Sequence, residues 1–178
     1  HIQLFMDDGI NPDAVEIFDS STVSLFTDIF KGAGREPLTG RKKGGLKIHT
    51  KLPLTGLIPD LVLMSEAAKN DKDFLGQLEV ESGKIYVFDK GYVNYLKWAE
   101  WSKKGAFYLT RLNENANLNV LTGQLNHPAN YADGGIISDQ LVQLEDTQAR
   151  VITYKDFVTG KVLKFVTNLL NCKPETVA

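Results

Sequence analysis

The sequence holds a single cysteine, Cys172, in 178 residues. That excludes an internal disulfide and a cysteine-built zinc cage, and leaves Cys172 to read as a small, semi-buried side chain. Long apolar runs are also missing, so no membrane-spanning helix is expected. Proline is scarce, at 6 residues, and the 15 glycines do not suggest disorder. Neither sign of charge dominates: a net charge of −2 excludes a uniformly basic nucleic-acid binder. The opening segment HIQLFMDDGI is short, mixed and acidic, unlike a secretory leader. It has no initiator methionine, so the chain is expected to be part of a longer, cytoplasmic protein. What is present, 43% hydrophobic and 24% charged residues, suits one globular domain with a full core.

The small net charge hides a local excess. Residues 31–51 contain seven cations (Lys31, Arg35, Arg41, Lys42, Lys43, Lys47 and Lys51) against Glu36 alone. Such a cluster is either a phosphate footprint or a solvated loop.

Hydrophobic patterning gives a strand over 14–19 that runs into a Ser/Thr-rich turn. A glycine-rich loop covers 31–45, and strands follow at 46–54 and 57–67, joined at Thr55-Gly56. A short helix is expected around 71–79, capped by Asn70 or Asp71. Ile85 to Asp89 reads as a strand and Tyr92 to Lys104 as a helix with Val93, Leu96 and Ala99 at helical spacing. Gly105 suits the helix C′ position, and a further strand covers 106–112. Strand, helix and strand together favour a parallel pair under a helix. Residues 113–140, rich in Asn, Gly, Gln and Asp, read as a long connection. Strands follow at 140–146, 150–156 and 161–170, with a hairpin turn at 157–161, and a helix begins near Pro174.

Asp19 and Asp89 share one context. Each ends an apolar strand and shares a face with β-branched neighbours: Val15 and Ile17 for Asp19, Ile85 and Val87 for Asp89. On adjacent strands the two carboxylates would meet at one rim of the sheet, where they would repel each other unless a cation sits between them. Mg²⁺ commonly takes one or two carboxylates plus substrate phosphates. The local alternative is a helix cap for Asp89 and an Asx-type backbone bond for Asp19.

The stretches FDSSTVSL (18–25), GGLKIHTKLPLTGLIPDLVLMSEAAKND (44–71), YVFDKGYVNYLKWAEWSKKGAFYLTRLNENANL (86–118) and KFVTNLLNCKPETVA (164–178) resemble DDE transposases of the IS4 type, in the same order along the chain. The resemblance implies an α/β, RNase H-like fold: a mixed central sheet flanked by helices, with a β-rich insertion at 113–163 before the last catalytic helix. It implies a bacterial enzyme acting on double-stranded DNA at the nucleoid, as a homodimer and away from membranes. Two Mg²⁺ ions, or Mn²⁺ in their place, would be held by Asp19 and Asp89 as first and second catalytic acids. Water would cleave the phosphodiester at a transposon end, and the freed 3′-OH would then attack target DNA. The third acid, a Glu, is expected just past Ala178; Glu175 stands too early. The resemblance also marks Lys47, His49, Lys90, Tyr92 and Arg111 as DNA-contacting residues, and tilts Arg41, Lys42 and Lys43 the same way. His49 could equally be a strand histidine satisfied by a neighbour, Tyr92 a packing residue, and Arg111 an ion-pair partner of Glu100 or Glu114. Other functional readings are an RNase H-like nuclease that cuts without joining and a catalytically inactive DNA-binding module derived from a transposase.

Overall fold

A computed structural model describes residues 6–24, 45–56, 58–66, 71–113, 115–116, 118–124 and 135–178. Strands β1 (Val15–Ser24), β2 (Gly45–Pro53) and β3 (Leu61–Glu66) pair antiparallel. β4 (Ile85–Phe88) lies parallel to β1, and β5 (Phe107–Arg111) parallel to β4. Helix α1 (Asp71–Leu75) precedes β4, and helix α2 (Tyr95–Lys103) links β4 to β5, as the strand–helix–strand pattern predicts. β9 (Val162–Thr167) joins the far edge of β5 antiparallel. β8 (Thr147–Lys155), β7 (Gly135–Leu144) and β6 (Asn119–Gln124) continue outward. The result is one nine-stranded mixed sheet of order β3-β2-β1-β4-β5-β9-β8-β7-β6.

Side-chain alternation gives the sheet two unlike faces. On one face Phe18, Tyr86, Phe88, Tyr108 and Val166 pack with Phe74 and Leu75 of α1 and with Trp98 and Trp101 of α2. The aromatic rings interlock: Phe18 and Tyr86 stack at 5.6 Å, and Trp98 and Tyr108 at 5.0 Å. The opposite face carries a smaller cluster in which Ile136, Ile152, Leu109 and Phe165 meet Cys172 and Val177. The chain after β9 therefore returns to this second face, where it forms the short helix α3 (Pro174–Val177).

Four expectations are corrected. Residues 113–140, read as a long connection, hold β6 and the first part of β7. The Ser/Thr run at 20–24 is strand rather than turn, because each of its residues has a partner on β2, from Ser20 opposite His49 to Ser24 opposite Gly45. Tertiary pairing outweighs local turn preference here. The helix expected from Tyr92 starts at Tyr95. Lys90–Tyr92 is a separate 3₁₀ turn, and the Asn94 side chain accepts from the Lys97 N–H at 3.2 Å as the N-cap. Its buried stripe is Trp98, Ala99 and Trp101, and Leu96 points to solvent. Gly105 does terminate the helix: its φ is +75°, and a Cβ there would lie 2.7 Å from the Ser82 hydroxyl.

Candidate active site

The parallel register of β1 on β4 runs from Val15 opposite Ile85 to Phe18 opposite Phe88. Asp19 and Asp89 are each the next residue, on the same face as Ile17 and Val87. Asp89 is the first residue past the end of β4, whereas β1 runs on to Ser24, so Asp19 stands within its strand and not at the strand end expected from sequence. Both are exposed. Asp19 accepts a bond from the Ser20 N–H at 2.7 Å, a purely local contact. Asp89 occupies the N-cap position of the 3₁₀ turn, yet its side chain makes no capping bond there. It accepts instead from the Arg111 guanidinium at 2.8 Å.

Arg111 is thus ion-paired, with a partner other than the two considered from sequence. Glu100 is taken by Lys97 at 2.7 Å, and Glu114 lies outside the described residues. The Arg111 hydrogen bond, opposed by partial burial and helped by the Lys90 backbone, holds the Asp89 carboxyl below its ordinary range. The sheet explains the pairing. Asp89 leaves β4, and Arg111 ends the adjacent parallel strand β5, on the same face. Among the described residues no group of three or more His, Cys, Asp or Glu side chains comes together.

His49 and Tyr92 are placed inside, each 2% exposed. His49 Nδ1 lies 3.0 Å from the Tyr92 hydroxyl, its Nε2 lies 3.1 Å from Ser65 Oγ, and its ring stacks on Phe74 at 4.5 Å. Neither ring presents a surface to DNA here. The histidine is satisfied by its neighbours, and together the two rings pin the Lys90–Tyr92 turn to β2. That pinning positions the backbone just after Asp89. Lys47 is half-buried on β2, across from Thr22 and Ser65, and Lys90 is exposed beside Asp89. Lys51, counted in the basic cluster, is committed to ion pairs with Asp60 at 2.8 Å and Glu16 at 3.8 Å. Arg41, Lys42 and Lys43 lie outside the described residues.

Sequence reasoning missed two charged features. Glu16 is 4% exposed and held by Lys84 at 3.1 Å, at the end of β1 away from Asp19. Asp139 and Arg150 form a buried pair: Arg150 donates to both Asp139 oxygens at 2.6 Å, and to the Cys172 carbonyl. The sequence holds little hint of this pair: Arg150 opens a strand-like stretch, but Asp139 falls in the stretch that reads as a long connection.

The match to known proteins follows this geometry. The "Transposase DDE domain" family matches residues 11–169, nearly the whole chain, and the chain belongs to that family. It is 31% identical over 130 residues to the protein named "Putative transposase y4zB" from Sinorhizobium fredii, covering 73% of this chain and 35% of that one. The chain therefore spans about a third of that relative's length. Its fold is similar to that of a piggyBac transposase, solved by cryo-electron microscopy as a synaptic complex with hairpin DNA. The TM-score is 0.52 at 9% identity, covering 94% of this chain and 37% of the other.

Proposed function

We propose that this chain is the RNase H-like catalytic domain of a DNA transposase of the IS4 type, with strands β6–β8 as its β-rich insertion. In this reading it cuts the phosphodiester at transposon ends and joins the resulting 3′-OH to target DNA. The carrying observation is the β1–β4 register, which, continued by one residue, brings Asp19 in β1 next to Asp89 at the end of β4. The donor set fits a hard divalent cation, Mg²⁺ or Mn²⁺, because two exposed carboxylates leave room for the water and phosphate oxygens such ions also require. Bound there, a pair of cations would supply charge neutralisation for the attacking and leaving oxygens of an in-line displacement.

The protein's own contribution is placement. Asp19 and Asp89 hold the negative charge at the rim, and Arg111 balances part of it while the site is free of other cations. Lys90 and Arg111 orient phosphates beside that rim. A second copy of the protein is proposed for pairing two transposon ends, in a cytoplasmic, nucleoid-associated setting away from membranes; among the described residues no helix is long and apolar enough to cross one.

The test uses Asp19→Asn and Asp89→Asn in the full-length protein in Mg²⁺, with an uncleaved transposon end to follow cleavage and a pre-cleaved end plus a target plasmid to follow strand transfer. Strand transfer and end cleavage should each fall by more than about 100-fold, since even outer-shell changes at metal sites cost 10- to 100-fold. DNA binding should persist. Cleavage retained in either variant would remove the assignment, and hydrolysis without joining by the unaltered protein would make it a nuclease.

A further inference from the structure

Beside Asp89 lies a cleft of about 820 Å³ that the two carboxylates do not explain. It opens at the carboxyl ends of β4 and β5, the place where open α/β sheets receive ligands. Lys90 from the turn after Asp89, Arg111 from the end of β5 and Lys164 from β9 all line it. Among its described lining residues none is acidic. Asn113 and Asn115 add neutral hydrogen-bonding groups, and Tyr95 adds an aromatic ring. Leu112 and Leu163 add apolar lining. Lys164 is fixed in place by the sheet: its carbonyl accepts from the Leu112 N–H at 2.8 Å, which holds β9 against the chain leaving β5.

Three cations, apolar side chains and one aromatic ring lining one cleft are the parts of a groove that tracks a phosphate backbone and receives bases against its walls. The volume lies within the roughly 300–1,000 Å³ of ligand clefts, which suits a short unpaired run of nucleotides better than a duplex. We infer that this cleft binds single-stranded DNA next to the carboxylate rim, with Lys164 as the phosphate contact contributed by β9. The inference rests on the transposase reading and adds to it a strand-selective subsite. Arg111 belongs to both places, since it lines the cleft and bonds Asp89. A phosphate entering the cleft therefore competes with Asp89 for the same guanidinium, so that strand binding and release of the Asp89 carboxylate are coupled.

The experiment measures binding of fluorescently labelled oligo-dT to the 178-residue chain across a salt series, with a blunt duplex of equal length alongside. Circular dichroism verifies the fold of each variant. Lys164→Gln and Lys90→Gln should each weaken oligo-dT binding and reduce the slope of log affinity against log salt by about 0.7, the loss of one single-strand phosphate contact. Lys164→Arg should keep the slope, and Lys104→Gln, at the opposite end of α2 from Tyr95 and outside the cleft lining, should leave binding unchanged. Equal affinity for duplex and single strand, or an unchanged slope in Lys164→Gln, overturns the cleft. If that happens while Asp89→Asn still abolishes cleavage in the full-length protein, the cleft alone fails and the transposase reading stands. Failure of the unaltered chain to bind oligo-dT at all likewise overturns the cleft, and cleavage that survives Asp89→Asn overturns the reading beneath it.

Discussion

Asp139–Arg150 and Asp89–Arg111 join the same two residue types at nearly the same separation, 2.6 and 2.8 Å. Their surroundings make them opposites. The first pair is sealed, with side-chain exposures of 0% and 1%; the second is open, at 51% and 48%. A sealed pair cannot exchange its partners for water or ligand, so it fixes geometry. An open pair is weakly held and screened by salt, so it can release its carboxylate to a stronger cation. The comparison teaches that charge pairs in this sheet divide by depth: the buried one secures the route of the chain, and the exposed one stands where chemistry is proposed.

The buried pair shows how much geometry a single contact can specify. Asp139 and Arg150 are diagonal neighbours on β7 and β8, since Asp139 pairs with Ile152 and Arg150 with Leu141. Positions 136 and 139 would fall on opposite faces of a regular strand. The register shift between Ile136 and Ser138 brings both to the face that carries Ile152 and Cys172. From there Arg150 reaches the carbonyls of Leu169 and Cys172, tying the segment after β9 to the sheet. Arg150→Ala should give the largest effect on stability, about 3–5 kcal/mol in urea unfolding, because it strands a buried carboxylate. Replacing both partners with apolar residues, Asp139→Leu with Arg150→Met, should be less harmful than either single change. Full recovery is not expected, because the two carbonyls lose their donor. Equal losses from single and double variants would refute the view that the stranded charge dominates.

A second link holds the same segment more lightly. Helix α3 has Lys173 at its N-cap, whose side chain makes no capping bond. Asp8 supplies the bond from the other end of the chain, accepting from the Lys173 N–H at 2.7 Å and the Thr176 hydroxyl at 2.6 Å. Asp8→Ala should cost about 1 kcal/mol, the usual loss of a cap. It should also speed amide exchange at Thr176 while leaving β4 and β5 protected. Uniform destabilisation without local exchange would show that Asp8 does not act as a cap.

These two regions also mark what could be read in advance. The strand end at Asp89, the parallel unit through α2 and the hairpin of β8 and β9 were legible, because each rests on local periodicity and turn residues; the run of β1 past Asp19 to Ser24 was not, because it depends on pairing with β2. The Asp8 cap, the Asp139–Arg150 diagonal and the buried seat of His49 were not. Each depends on residues brought together over long separations, 165 positions between Asp8 and Lys173 and 43 between His49 and Tyr92. Arg111 falls between the cases: its importance was visible in its motif, but its partner was not. The sequence places Asp89 and Arg111 on opposite sides of a helix, and only the β4–β5 pairing sets them next to each other.

The smallest expected effect on stability, and the sharpest contrast with Arg150, comes from Arg111→Gln. Both members of the Asp89 pair are about half exposed, so solvent screening limits the loss to about 0–1 kcal/mol. The signal lies in titration. Arg111 depresses the Asp89 carboxyl, so removing it should move the Asp89 midpoint up towards the ordinary value of about 3.9. A depressed carboxyl stabilises the fold at pH above its unfolded midpoint and loses that contribution as pH falls through its folded one. The variant should therefore lose its small deficit relative to the unaltered chain in acid, below both midpoints. Carboxyl-carbon NMR titration follows Asp89 directly. High salt should shift it in the same direction in the unaltered chain, and should leave the buried Asp139–Arg150 contacts intact. An Asp89 midpoint unmoved by either treatment would show that Arg111 is not its counter-ion in solution, and the division of these pairs by depth would fail.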